Sequence, residues 1–189
     1  MRKLLIAATA FVGLFAGQAN ATEIGKESSA PLFDPTIPTE SVIGVAWPLY
    51  PDIKLTPGAT NDPPTPLPTL CADHYSSTVR HVTPATKLAV YARYGLPKVE
   101  RNAEVDHDVP LVLDGRNDLT NLWPQSYLTV GANAHRKDVL EVKLYRLVCS
   151  HALTLLAAQN EIRGDWRPAY IKYVGPLEAP LPPTSEEAD

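Results

Sequence analysis

The residues of this chain best suited to chemistry fall in two short runs. Glu104-Val105-Asp106-His107-Asp108-Val109-Pro110-Leu111 sets three carboxylates and an imidazole within five positions. Asn133-Ala134-His135-Arg136-Lys137-Asp138 follows, with Asp114-Gly115 and Asn121-Leu122-Trp123-Pro124 between the two. An imidazole titrates near neutral pH, so His107 has the right chemistry for a general base. Arg136 and Lys137 are the cations that would meet a phosphate. Hydrolysis of a phosphodiester needs such a set: a base to activate water, and positive charge on the scissile phosphate and the departing oxygen. An isolated Asp-His pair beside a turn is more often a surface ion pair. His135 reads as a solvated residue at a helix start, and His74, His81 and His151 belong to no such pattern.

Positioning those residues is the task of a hairpin and a helix. Val105 to Leu113 alternates weakly and is rich in β-branched residues, Asp114-Gly115 is a turn signal, and Asn121 to Ser126 is a second extended run. On a regular strand Asp106 and His107 point to opposite faces, so the hairpin must bend if both serve one site. Leu140, Leu144, Leu147 and Val148 then form one apolar helical stripe, with Lys137, Glu141 and Lys143 as its polar neighbours. Further helices are expected from Thr83 to Tyr94, stopping at Gly95, from Leu153 to Ile162, and after a cap at Asp165. In the last of these Trp166, Ala169, Tyr170 and Tyr173 share a face that reads as core.

Charge and proline divide the chain. Ten of its 19 prolines lie between Pro31 and Pro68, which marks 22–68 as a Pro-rich extended segment and sets the start of the folded part near residue 69. A short apolar strand at Ser41 to Val45 and a turn at Thr56-Pro57-Gly58 are the local structure expected there. Residues 69–175 carry 13 Lys+Arg against 11 Asp+Glu, whereas the flanks 22–68 and 176–189 each carry −4, the latter reading as a disordered acidic tail. A mildly basic core suits a phosphate-bearing ligand. Arg2 and Lys3, the apolar run from Leu4 to Ala16, and Ala19-Asn20-Ala21 reproduce a secretory signal peptide over 1–21, cleaved after Ala21. Export to the periplasm or beyond supplies an oxidising compartment, where the two cysteines, Cys71 and Cys149, read as one disulfide, two buried thiols being the other reading. No segment is long enough to hold the mature chain in a membrane.

The ordered set Thr56-Pro57-Gly58-Ala59-Thr60-Asn61, Cys71, Thr78-Val79-Arg80, Tyr94-Gly95, Glu104-Val105-Asp106-His107, Asn121-Leu122-Trp123-Pro124-Gln125-Ser126-Tyr127, Asn133 to Asp138, Val148-Cys149-Ser150, Asp165-Trp166 and Ala169-Tyr170 resembles small exported bacterial proteins related to HNH (ββα-metal) endonucleases. That resemblance implies an α+β fold: a small hairpin-plus-helix, HNH-like domain over 69–175, wrapped by additional helices. It implies a monomeric, exported, divalent-metal-dependent endonuclease acting on DNA or RNA. Asp106 and Asn133 would be the metal ligands, their hard oxygens suiting Mg²⁺. His107 would be the base, and Asn121 the asparagine that holds the loop orienting it. Arg80 matches a family position as well, but a lone arginine reads as structural. The chain departs from the family in carrying Asp108 after the Asp-His pair and Asp114-Gly115 where Gly-Gly is usual. Asp108 could add a ligand or repel a phosphate, so a non-cleaving exported binding or scaffold protein of the same fold is the alternative.

Overall fold

The hairpin forms, with a shorter first strand than the residue pattern suggests. The computed structural model describes residues 39–42, 45–96 and 102–177. In it β1 (Thr39–Val42) pairs with β2 (Val45–Pro48), and β3 (Ala103–His107) pairs antiparallel with β4 (Leu122–Ser126), with Asp106 opposite Trp123 and His107 opposite Leu122. The first strand of the central hairpin ends at His107 rather than Leu113. Beyond it the Asn121 side chain takes Val109 N at 2.9 Å, Pro110 has no N–H to give, and Leu111–Leu113 wind into a 3₁₀ turn. The helices are α1 (Leu67–Leu70), α2 (Tyr75–Val79), α3 (Pro84–Arg93), α4 (Ala134–Cys149), α5 (Leu155–Ile162) and α6 (Arg167–Tyr173), which makes the fold α+β.

Helix starts follow capping chemistry. Thr83 Oγ1 accepts from Thr86 N, Asn133 Oδ1 from Arg136 N and Thr154 Oγ1 from Ala157 N, each satisfying an otherwise orphaned donor. Asp165 sits one residue too early to cap α6. Trp166 holds that position, and Asp165 Oδ1 bonds Arg167 through N at 3.3 Å and Nε at 2.7 Å.

Two apolar clusters flank the hairpin. One gathers Trp47, Leu55, Tyr91, Val105 and Trp123, and the other Leu113, Leu140, Leu144, Ile162 and Trp166. Ordered structure therefore starts well before residue 69. Proline bars that segment from helix and central strand, but not from lying extended across a core. Thr56 Oγ1 donates to Leu122 O at 3.0 Å, tying the segment to β4. Cys71 and Cys149 form a disulfide with Cα atoms 5.7 Å apart, joining α1 to the end of α4 across 78 residues. In the chain-entropy account a loop of that length contributes about 4 kcal/mol. No helix among the described residues is long and apolar enough to cross a membrane. The expected leader, residues 1–21, and the tail beyond 177 lie outside the described residues.

Candidate active-site cleft

A cleft of about 270 Å³ opens between β3, α4 and α2, lined among others by Glu104, Asp106, His107, Asp138, Glu141 and Arg80. Strand period puts Glu104 and Asp106 on one face, toward α4, where Asp138 and Glu141 stand one turn apart. His107 reaches the same cleft because it is the last residue of β3, where the ladder gives way to the loop.

The loop itself is bound tightly. Asn121, fully buried, accepts from Val109 N and donates through Nδ2 to Val109 O at 2.8 Å and Arg116 O at 2.9 Å. Asp114 sits at φ 67°, a left-handed conformation that Asp tolerates, and its carboxylate accepts from Asn61 Nδ2 at 2.7 Å and Thr65 N at 2.8 Å. Gly115 is obligatory at its place: a Cβ there would lie 1.8 Å from Val109 O. The turn is thus built by Asp114 in a left-handed backbone conformation and by the missing Cβ of Gly115. Asp108 is buried away from the cleft and accepts from Gly164 N at 2.7 Å, with burial pushing its pKa up to about 7. It lines neither described wall of the cleft and serves as a tie between β3 and the start of α6.

Asn117, unremarkable in the sequence, holds the His107 ring. Its Nδ2 donates to Val79 O at 2.8 Å, and its Oδ1 accepts from His81 N at 3.0 Å and faces His107 Nε2 at 3.2 Å. An amide oxygen accepts only, so Nε2 carries the proton and Nδ1 holds the free lone pair. Among the described residues Nδ1 has no bonding partner. Burial, opposed by Asp106 and Asn117, lowers the His107 pKa to about 4, so the ring is neutral at neutral pH.

Electrostatically the cleft is crowded. Lys137, read from the sequence as a polar neighbour of the stripe, is fully buried, its ammonium 2.7 Å from His107 O, 2.5 Å from Glu141 Oε1 and 2.8 Å from Asp106 Oδ2. The Asp106 contact lies off the line of a directed hydrogen bond, so charge attraction holds it. Burial pulls this lysine toward its neutral form, but Asp106 and Glu141 outweigh it and keep its pKa above the ordinary value. Burial, reinforced by Asp106 and Asp138, pushes Glu104 up to about 7, and Asp138 and Glu141 are raised as well, again chiefly by burial. One ammonium does not compensate four carboxylates.

Of the residues expected to act together, Asp106 and His107 share the cleft and Asn121 closes the loop behind them. Asn133 caps α4 and is absent from the cleft wall. Arg136 and Lys137 are buried, Arg136 donating to Tyr170 Oη at 3.2 Å, so neither offers its charge to an incoming phosphate. Glu104 was legible as the same-face neighbour of Asp106 two positions away, and Asp138 and Glu141 as an i, i+3 pair. Asn117 has no local signal. Among the described residues no three His, Cys, Asp or Glu side chains are gathered closely enough to enclose a metal ion. The chain matches no protein-family model, no curated protein and no solved structure.

Proposed function

We propose that the chain is an exported, monomeric, HNH-like endonuclease that hydrolyses phosphodiester bonds in DNA or RNA with the help of a divalent cation, β3, β4 and α4 forming its ββα core. The observation that carries this reading is the convergence of Asp106 and His107 on one cleft, with the ring fixed by Asn117 and Nδ1 left open. In this mechanism Nδ1 takes a proton from the water that attacks phosphorus. Asn117 keeps the proton on Nε2 so that Nδ1 is the acceptor, and Asn121 holds the loop that follows His107.

The donors fit a hard cation. Mg²⁺ is commonly held by one or two carboxylates plus substrate oxygens, so the absence of a closed cage is no obstacle. Asp106, with Asp138 or Glu104 beside it, would hold the ion, and the surplus negative charge of the cleft favours it there. When bound, such an ion neutralises charge developing on the phosphate and the leaving oxygen. Purified mature chain should cleave single- or double-stranded nucleic acid with Mg²⁺ and stop with EDTA. His107→Ala should lose about 10²- to 10⁴-fold in rate while melting normally. Equal inertness of wild type and variant on both nucleic acids, with Mg²⁺, Mn²⁺ or Ca²⁺ present, would sink the nuclease reading.

A non-cleaving exported binding protein is the second reading, and Lys137 is the observation that favours it. Its ammonium already neutralises part of the charge on Asp106 without any metal.

A further inference from the structure

Arg80 stands on the cleft wall with its side chain exposed, and its guanidinium makes no hydrogen bond or ion pair with any described residue. Four carboxylates line the same cleft, yet none captures it. Its backbone, in contrast, is held on both sides. Asn117 receives His81 N on Oδ1 and gives Nδ2 to Val79 O, and the same oxygen faces His107 Nε2. One amide therefore sets the position of Arg80 relative to the imidazole. The segment is anchored a second time through Cys71, which ends α1 just ahead of α2 and is bonded to Cys149 on α4. A loose surface arginine needs no such mounting.

We propose that Arg80 is the phosphate-binding residue of the cleft, presenting its guanidinium fork to the scissile or an adjacent phosphate beside His107. The proposal rests on the nuclease reading and gives its site the cation that the buried Arg136 and Lys137 do not provide. A planar fork binds phosphate oxygens in pairs, and an exposed guanidinium can do so without leaving a buried partner behind. Its nearness to the base is felt electrostatically too: the Arg80 charge adds to the lowering of the His107 pKa that burial dominates, and offsets part of the burial-driven rise at Asp138.

The test measures binding of fluorescent single-stranded and duplex DNA and RNA to the His107→Ala chain over a range of salt concentrations. Adding Arg80→Gln should weaken binding about tenfold or more and reduce the slope of log K against log salt by about 0.7 to 0.9, one phosphate contact. Arg80→Lys should restore part of the affinity and most of the slope. Lys143→Gln, exposed on α4 and outside the cleft, should change affinity less than about twofold. Unchanged affinity in Arg80→Gln, or a weakening with no change in salt slope, overturns the assignment while leaving the nuclease reading intact. If the His107→Ala chain binds no nucleic acid and the wild type cleaves none, both fall together. Melting curves of each variant guard against misfolding, and Arg80→Lys, which keeps length and charge, decides the matter should Arg80→Gln be unstable.

Discussion

In the loop between β3 and β4, Asn121 bonds Val109 N, Val109 O and Arg116 O, and Asp114 bonds Asn61 and Thr65. In the adjoining cleft Glu104, Asp106, Asp138 and Glu141 have one buried ammonium among them. Both regions are polar and largely buried, but in the loop the Asn121 and Asp114 side chains match donors to acceptors, with Asp108 Oδ2 left without a partner among the described residues, whereas the cleft keeps like charges together. Matched polar groups rigidify; unmatched charge raises free energy unless something binds it. Stability is thus concentrated in the loop and binding capacity in the cleft, so damage to one should read differently from damage to the other.

The largest effect is expected where the cleft's single compensation is removed. Lys137→Met leaves Asp106 and Glu141 without their shared partner and should lower unfolding free energy by about 3–5 kcal/mol in urea titrations. Combining it with Glu141→Gln should recover part of that loss, because the two sites act through one interaction. A loss below about 1 kcal/mol would show that the cleft tolerates its charge without the lysine.

The matched loop offers the next largest. Asn121→Ala strands Val109 N and O in the interior and should cost about 2–3 kcal/mol, measured by the same titration. Gly115→Ala drives a methyl into the Val109 carbonyl and should cost about 1–3 kcal/mol, with the loop shifting to make room. Neither change alters cleft charge, so the pH dependence of melting should keep its shape in both. A changed shape would mean that the two regions are coupled and that the contrast between them is overstated.

What was legible in the sequence follows the same division. Paired extended runs, a turn, the helix beginning at Thr83 and two cysteines are local signals that appear at their place, whereas the cap expected at Asp165 falls at Trp166 and Asn133, expected as a metal ligand, caps α4. Lys137 was misjudged because helical periodicity sorts residues by polarity, and a charged side chain at a core position satisfies no such rule unless its partners are known. Trp47 and Leu55 were hidden by prolines, whose backbone limits say nothing about where neighbouring side chains go. Asn117 and Arg80 gain meaning from residues 10 to 38 positions away: His107, His81 and Val79 for Asn117, and Glu104, Asp106 and His107, which share one cleft with it, for Arg80.

The smallest effect is the sharpest test of unmatched charge. Glu104 has its pKa raised by burial, with Asp106 and Asp138 adding, from 4.5 to about 7. The folded chain thus binds this proton more tightly than the unfolded one, and the associated stability is full below about pH 4.5 and lost as pH rises through 7. His107 acts in the opposite sense, since burial lowers it from 6.5 to about 4: its contribution is full above pH 6.5 and lost as pH falls through 4. Melting temperature should therefore peak on the acidic side of neutrality, near about pH 6. Glu104→Gln removes the charge and keeps an oxygen to accept from Tyr127 Oη, which lies 3.0 Å from the carboxylate. At pH 8 it should raise stability by on the order of 1 kcal/mol, the full shift being reduced by solvent at this half-buried group. The alkaline limb should flatten, with Asp108, also raised to about 7, and the likewise raised Asp138 and Glu141 supplying what slope remains. The acidic limb should be unchanged. If Glu104→Gln instead melts lower than wild type at pH 8 in metal-free buffer, the carboxylate is compensated within the chain, and the cleft is matched in the same way as the loop.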